Sequence, residues 1–244
     1  MDQSVSAGHL VAIGIAVGEV VVLTPLARFR PGRWLDPATR VLAVLLVANE
    51  AGFEAVQWRG AFGFGPWTPA FSLPLYVCDI AALVAAVALI WRIRLCVEIV
   101  WYWALAATVQ GILTPDHPIS FPSYDWLEFY LQHLGVLLAA LWLVIGIRLH
   151  PRPRAAVKVA VITAVLIGLI GVVDVVTGGD YDYLRSLSPP GLLAHLGPWP
   201  WDIVAAAGVG LALIAILDLP FWPERRRARR ASMAMSRAVA PVGR

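Results

Sequence analysis

Apolar residues run through the chain in seven long blocks, approximately 8–27, 37–57, 72–91, 95–113, 126–147, 156–177 and 201–221. Each is close to the roughly 20 residues that a helix needs to cross the hydrocarbon core of a bilayer. The blocks stop at Arg, Pro, Gly or Trp punctuation such as RPGR, GFGPW, WRIR, TPDHP and RPRP. None shows the alternation of a barrel strand, and a segment in lipid must satisfy its backbone internally, so the blocks are read as helices. The pattern predicts an all-α polytopic bundle of seven transmembrane helices in one domain over 1–222. A basic tail over 223–244, expected to be flexible and cytoplasmic, follows it.

Charge gives the bundle a direction. Arg28, Arg30, Arg33 and Arg40 follow or flank the first turn, Arg92 and Arg94 the third block, and Arg148, Arg152, Arg154 and Lys158 the fifth. With the tail, these segments hold seventeen of the 19 basic residues, and only Arg59 and Arg185 fall on the other side. Cytoplasmic loops are the ones enriched in Lys and Arg, so the N-terminus is expected outside and the C-terminus inside. Trp34, Trp91 and Trp222 mark the inner boundary, and Trp58, Trp67, Trp126, Trp199 and Trp201 the outer one. The outer loops 58–71, 114–125 and 178–200 are long and rich in Pro, Gly and aromatics, which predicts folded caps. The first residues, MDQSVSAGHL, have no basic region, so the first block reads as a span rather than a signal peptide.

Composition agrees, with 59% apolar and 14% charged residues and a mean hydropathy of +0.74. It points to a multi-pass protein of the cell membrane, with membrane lipids as partners and no nucleic acid. The clustered arginines of the tail are suited to anionic lipids of the inner leaflet.

Ionisable groups within spans are costly and face a bundle interior or a wet cavity. Asn49, Glu50 and Glu54 lie in the outer half of the second block, Cys78 and Asp79 in the outer third of the third, and Gln110 near the outer end of the fourth. Gln132 and His133 lie in the outer third of the fifth block and Asp174 near the outer end of the sixth. Five helices thus place polar groups in one layer, which predicts either a polar cavity in the outer half or interhelical hydrogen bonding. Cys78 stands seven residues below Phe71 and His133 seven below Trp126, so at about 1.5 Å per residue both lie about 10–11 Å beneath the outer boundary. A thiol and an imidazole at one depth are the parts of a nucleophile–base pair. Asp79, Glu50 and Asp174 are the carboxylates able to orient the imidazole. Glu19 sits alone in mid-span, suited to a hydrogen bond with a neighbouring helix, and Glu98 is read as an interfacial carboxylate paired near Arg92 and Arg94. Cys96, at the inner end of the fourth block, is too far from Cys78 for a disulfide. No HxxxH or HExxH spacing predicts a metal site, and no cofactor is expected.

The segments SLPLYVCDIAAL (72–83), FYLQHLGVLLAAL (129–141), GGDYDYLRSLSP (178–189), LGPWPWDI (196–203) and LDLPF (217–221) resemble the YwaF-type family of bacterial integral membrane proteins. That family is similar to a vertebrate transmembrane protein described as an acyltransferase that builds polyunsaturated ether phospholipids. The resemblance implies a Cys and a His as catalytic residues, and the matching positions are Cys78 in LPLYVCD and His133 in FYLQHLG. Tyr76, Asp180 and Asp202 stand where family members often carry His, Asn and Tyr.

The leading expectation is a membrane-embedded lipid acyltransferase, or a thioesterase-like lipid enzyme, using Cys78 and His133. Its donor or acceptor would be a phospholipid or lysophospholipid, and Asn49 or Gln132 would steady the oxyanion. The alternative is a transporter or small-molecule-binding protein using the outer-half carboxylates. Helix-breaking prolines lie only near block ends and no repeat is visible, which weighs against transport. A third reading is an accessory structural bundle in which the polar layer joins helices.

Overall fold

The computed structural model describes residues 7–61, 65–115, 121–186 and 197–227. Among them the chain forms seven helices and no strand: α1 (Ala7–Phe29), α2 (Leu35–Arg59), α3 (Val77–Trp91), α4 (Arg94–Leu113), α5 (Tyr124–Gly146), α6 (Ala155–Thr177) and α7 (Trp201–Arg227). Six of them are long and apolar enough to cross a membrane. The exception is α3, whose 15 residues rise about 22 Å, short of the about 30 Å of hydrocarbon. The apolar block at 72–91 is therefore only partly helical. Pro74 removes a donor, and residues 68–75 instead fold into turns, with Leu75 N–H bonded to the Leu73 carbonyl at 2.7 Å. The helix α7 extends to Arg227, so residues 223–227, expected to open the tail, continue it. The remainder of that tail, 228–244, and the centres of all three outer loops lie outside the described residues.

The bundle is organised around α5, which packs against α1, α2, α3 and α4. Its central window is 78% buried, against 17% for α6 and 11% for α7, which sit at the periphery against α4 and each other. The composition of α5 follows its place: Gly135, Ala139, Ala140 and Gly146 let neighbours approach, as small residues do between helices in lipid. At Gly146 an added Cβ would lie 3.0 Å from the Ala27 Cβ of α1.

Three helices widen into π turns, at Glu19–Leu23, Ala104–Thr108 and Trp142–Gly146. The first has a local cause. Pro25 has no N–H to continue the ladder and its ring crowds the preceding turn. The Thr24 hydroxyl instead donates to the Glu19 carbonyl at 2.8 Å. Glu19 itself is buried, and one of its carboxylate oxygens has no partner among the described residues, so the expected interhelical bond at that oxygen is not made.

The basic segments among the described residues gather at one end. There Arg92 of α3 meets Asp36 of α2 at 2.6 Å, and Arg152 grips Glu98 of α4 through its backbone N–H and two guanidinium nitrogens at 2.7–3.0 Å. Glu98 is thus paired as expected, with the residue after α5 rather than with its near neighbours in sequence. Asp218 of α7 accepts from Tyr102 of α4, Trp222 and Arg225, and Arg225 also donates to the Pro151 carbonyl at 2.8 Å. Higher in the bundle, tryptophan N–H groups reach threonine hydroxyls across helices, Trp103 to Thr163 at 2.7 Å and Trp142 to Thr39 at 2.9 Å. Their partners' own protons go to helix carbonyls, so these polar groups cost little in lipid.

The close approach of α1 and α5 gives a direct test. Gly146→Ala is expected to destabilise the purified protein by about 1–3 kcal/mol through overpacking. Gly168→Ala on the outward side of α6, where nothing lies within 4 Å, is expected to be neutral or stabilising by up to about 1 kcal/mol. Thermal midpoints in detergent check both, and equal behaviour of the two variants would contradict this packing.

Candidate functional site

The polar layer assembles at the end of the bundle opposite the basic loops. Its centre is Gln132 of α5, whose amide nitrogen donates to Glu50 of α2 and to Asp79 of α3, each at 3.0 Å. All three side chains are buried. Each amide hydrogen goes to a carboxylate from a different helix, so one neutral group ties three helices together. Beside it Asn49 of α2 donates to Glu128 of α5, to the backbone carbonyl at 3.1 Å and the carboxylate at 3.4 Å. Glu54, four residues after Glu50, holds a solvent-inaccessible oxygen without a partner among the described residues, as does Glu50.

Cys78 lies in the first turn of α3, not part-way down a longer helix. The rise-per-residue estimate from Phe71 therefore does not apply, because 72–76 is not helical. Level is set by contact instead: Asp79, the residue after Cys78, bonds to Gln132, the residue before His133. The Cys78 thiol lies 3.9 Å from the Asp79 carboxylate, a long contact. Successive residues on a helix point about 100° apart, and His133 turns from the α3 side toward α4. There an added Cβ at Gly111 would fall 2.8 Å from its Cδ2 and Nε2. The ring stacks on Phe129 at 4.0 Å between centroids. Its Nδ1 lies 2.7 Å from the Phe129 carbonyl. A carbonyl can only accept, so Nδ1 carries a proton, and in the neutral form of the ring the lone pair is on Nε2.

Among the remaining expected residues, Gln110 precedes Gly111 on α4, and its side chain makes no hydrogen bond among the described residues. Asp174, fully buried near the end of α6, serves the outer cap: one oxygen accepts from Tyr181 N–H at 2.9 Å, and its backbone carbonyl accepts from Arg185 at 3.0 Å. Cys78 and Cys96 are both free thiols. Among the described residues no group of three His, Cys, Asp or Glu could hold a metal ion. Two hollows, of about 550 and 560 Å³, lie at the basic end, away from this layer.

The outer cap adds residues that the sequence pattern did not single out. The Tyr181 ring meets Tyr76 edge-on at 5.3 Å, and its hydroxyl accepts from Leu73 N–H at 2.8 Å while donating to the Pro69 carbonyl at 3.0 Å. Asp182, in left-handed backbone at φ 54, accepts the Val77 N–H at 3.2 Å and so caps the first turn of α3, next to Cys78. The signal for Asp182 was the repeated DYDY in the loop, and for Glu128 its place four residues before Gln132 on one helix face.

Neither the curated proteins nor the solved structures contain a match. The model of the TMEM164 family matches residues 4–218, nearly the whole chain and every helix of the bundle.

Asp182 gives the site a pH signature. Burial pushes its carboxyl from the ordinary 3.8 up to about 7, against the lowering effect of the Val77 N–H and with a further push from Asp174. Between those values the folded chain holds a proton that the unfolded chain has lost, so this group's contribution to stability falls as pH rises from about 4 through about 7. Asp182→Asn is expected to flatten that fall and to exceed the wild type in thermal midpoint at about pH 8, while matching it near pH 4. A variant that retains the wild-type profile would contradict the assignment. The sequence thus belongs to the TMEM164 family, a family of transmembrane proteins.

Proposed function

We propose that the protein is a multi-pass protein of the cell membrane, with its basic end cytoplasmic and its N-terminus outside. We further propose that it acts there as a lipid acyltransferase through Cys78 and His133. The observation that carries this is the Asp79–Gln132 hydrogen bond at 3.0 Å, which joins the chain neighbours of the two residues at one level of adjoining helices. Three features support it. Cys78 sits in the first turn of a helix among buried groups, where a thiol needs an adjacent base to take its proton. The Nδ1 contact of His133 leaves Nε2 as the basic nitrogen. The resemblance to the YwaF-type family falls on the same two residues.

In this chemistry the thiol sulfur attacks the ester carbonyl of a donor phospholipid and its proton passes to Nε2 of His133. Collapse of the tetrahedral oxyanion expels the lysophospholipid alkoxide, which takes that proton, and leaves a thioester on Cys78. The hydroxyl of an acceptor lysophospholipid then attacks the thioester, giving its proton to His133, and the departing sulfur recovers it. In this reading the layer of Asn49, Glu50, Asp79 and Gln132, in the outer half of the bilayer, must part to receive the acyl group, and the His133 ring must swing from Gly111 toward α3. Buried oxygens of Glu50, Glu54 and Asp182 that have no partner among the described residues supply acceptors for an incoming hydroxyl.

The test is acyl exchange between diacyl-phosphatidylcholine and lyso-phosphatidylethanolamine by the full-length protein in vesicles, followed by mass spectrometry. Cys78→Ala is expected to abolish transfer and His133→Ala to lower it about 10²–10⁴-fold, both at unchanged thermal midpoint. Full activity in either variant, or none in the wild type, would remove the mechanism.

A further inference from the structure

At the basic end a hollow of about 550 Å³ opens between α1, the end of α5 and the end of α7. Two of its walls are guanidinium groups, Arg28 from the last turn of α1 and Arg148 just past α5. Neither makes an ion pair among the described residues; Arg28 only leans over the Phe29 ring at 5.4 Å. On the same face Arg92, Arg152 and Arg225 are each matched to a carboxylate, whereas Arg30, Arg33, Arg40 and Arg154, like Arg28 and Arg148, make no ion pair among the described residues. Arg28 and Arg148 are set apart by sharing one hollow. Val144, Ile145 and Phe221 form the apolar wall, and Ile145 is 41% exposed on the lipid-facing side. At the rim His150 bonds to Glu224 at 2.7 Å and packs on Phe221.

The backbone at Arg148 adds an independent observation. It has φ 66, the left-handed conformation that ends a helix and favours glycine. The Leu149 N–H closes the turn onto the Leu143 carbonyl at 2.9 Å. A bulky cation held where glycine fits best, while the Glu224 carboxylate of the same hollow is engaged by His150 instead, is strain of the kind that persists at functional sites. The packing of Gly146 on Ala27 fixes the ends of α1 and α5 together and brings Arg28 to the same hollow.

We infer that this hollow binds the phosphate of an anionic phospholipid from the leaflet on the basic face, with its acyl chains along Val144, Ile145 and Phe221. Guanidinium forks match phosphate oxygens in geometry and charge. The position at the ends of spanning helices is the level of the headgroups. The apolar wall below distinguishes a lipid from a free anion. This site is remote from the Cys78 layer and does not rest on the acyltransferase reading. It also differs from the tail arginines, which lie beyond the hollow in sequence.

The test uses the full-length protein in uncharged detergent, with the thermal midpoint followed against added dioleoyl-phosphatidylglycerol, dioleoyl-phosphatidylcholine or inorganic phosphate. Phosphatidylglycerol is expected to raise the midpoint, and the other two to leave it unchanged at equal phosphate. Arg28→Gln and Arg148→Gln should each weaken the half-saturating concentration about fivefold. Arg148→Gly should keep or raise the midpoint without lipid, because it relieves the backbone, and still lose affinity. Replacing Arg229, Arg230 and Arg237 by Gln should leave the lipid shift in place. Undiminished affinity in Arg148→Gly, loss of the shift in the tail variant, or an equal shift from phosphatidylcholine or inorganic phosphate would each overturn the assignment.

Discussion

One amide organises the non-basic end of this bundle. Helices in lipid gain little by burying apolar surface against one another, so close packing and interhelical hydrogen bonds must hold them. Gln132 supplies such bonds from the central helix: two donors on one nitrogen meet two buried carboxylates from α2 and α3. Two acidic groups that would otherwise repel are held by a shared neutral donor. Everything proposed for the polar layer, including the relation of Cys78 to His133, depends on that node holding α3 at the level of α5.

The opposite end is built on different physics. There the ties are charge-assisted: Glu98 with Arg152, Asp218 with Arg225, Asp36 with Arg92. Exposed pairs of this kind contribute at most about 1 kcal/mol each, and Arg92–Asp36 is of that kind, with both side chains about half exposed or more. Glu98 and Asp218 are different, because burial and several donors on each carboxylate fix loop, α4 and α7 together. Arg28 and Arg148 stand outside these networks among the described residues and line one hollow together, which is what suits that hollow to a phosphate.

The helices were legible in the sequence because length and hydropathy are summed over twenty or so residues, and twelve of the fourteen helix ends fall within two residues of those expected, the exceptions being the start of α3 and the end of α7. The third failed where a local effect overrode the average: residues 72–76 are apolar, yet Pro74 and the Tyr181 hydroxyl turn them into a cap. The polar layer itself was legible as a set, since Glu50, Asp79, Asn49 and Gln132 do meet or lie side by side. Partners were not legible. Which helix faces which is a tertiary property, so the pairing of Gln132 rather than His133 with the α3 carboxylate could not be read from depth. Asp182 and Tyr181 were hidden for the same reason, because a loop residue 105 positions away in sequence caps the first turn of α3.

The most direct measurement is a double-mutant cycle over Asp79→Ala and Gln132→Ala, read as unfolding free energy of the purified protein. If the amide joins α5 to α3, the two losses are non-additive, with a coupling of about 1–3 kcal/mol. Losses that add to within about 0.5 kcal/mol would mean that the two residues do not meet, and the common level of Cys78 and His133 would lose its footing.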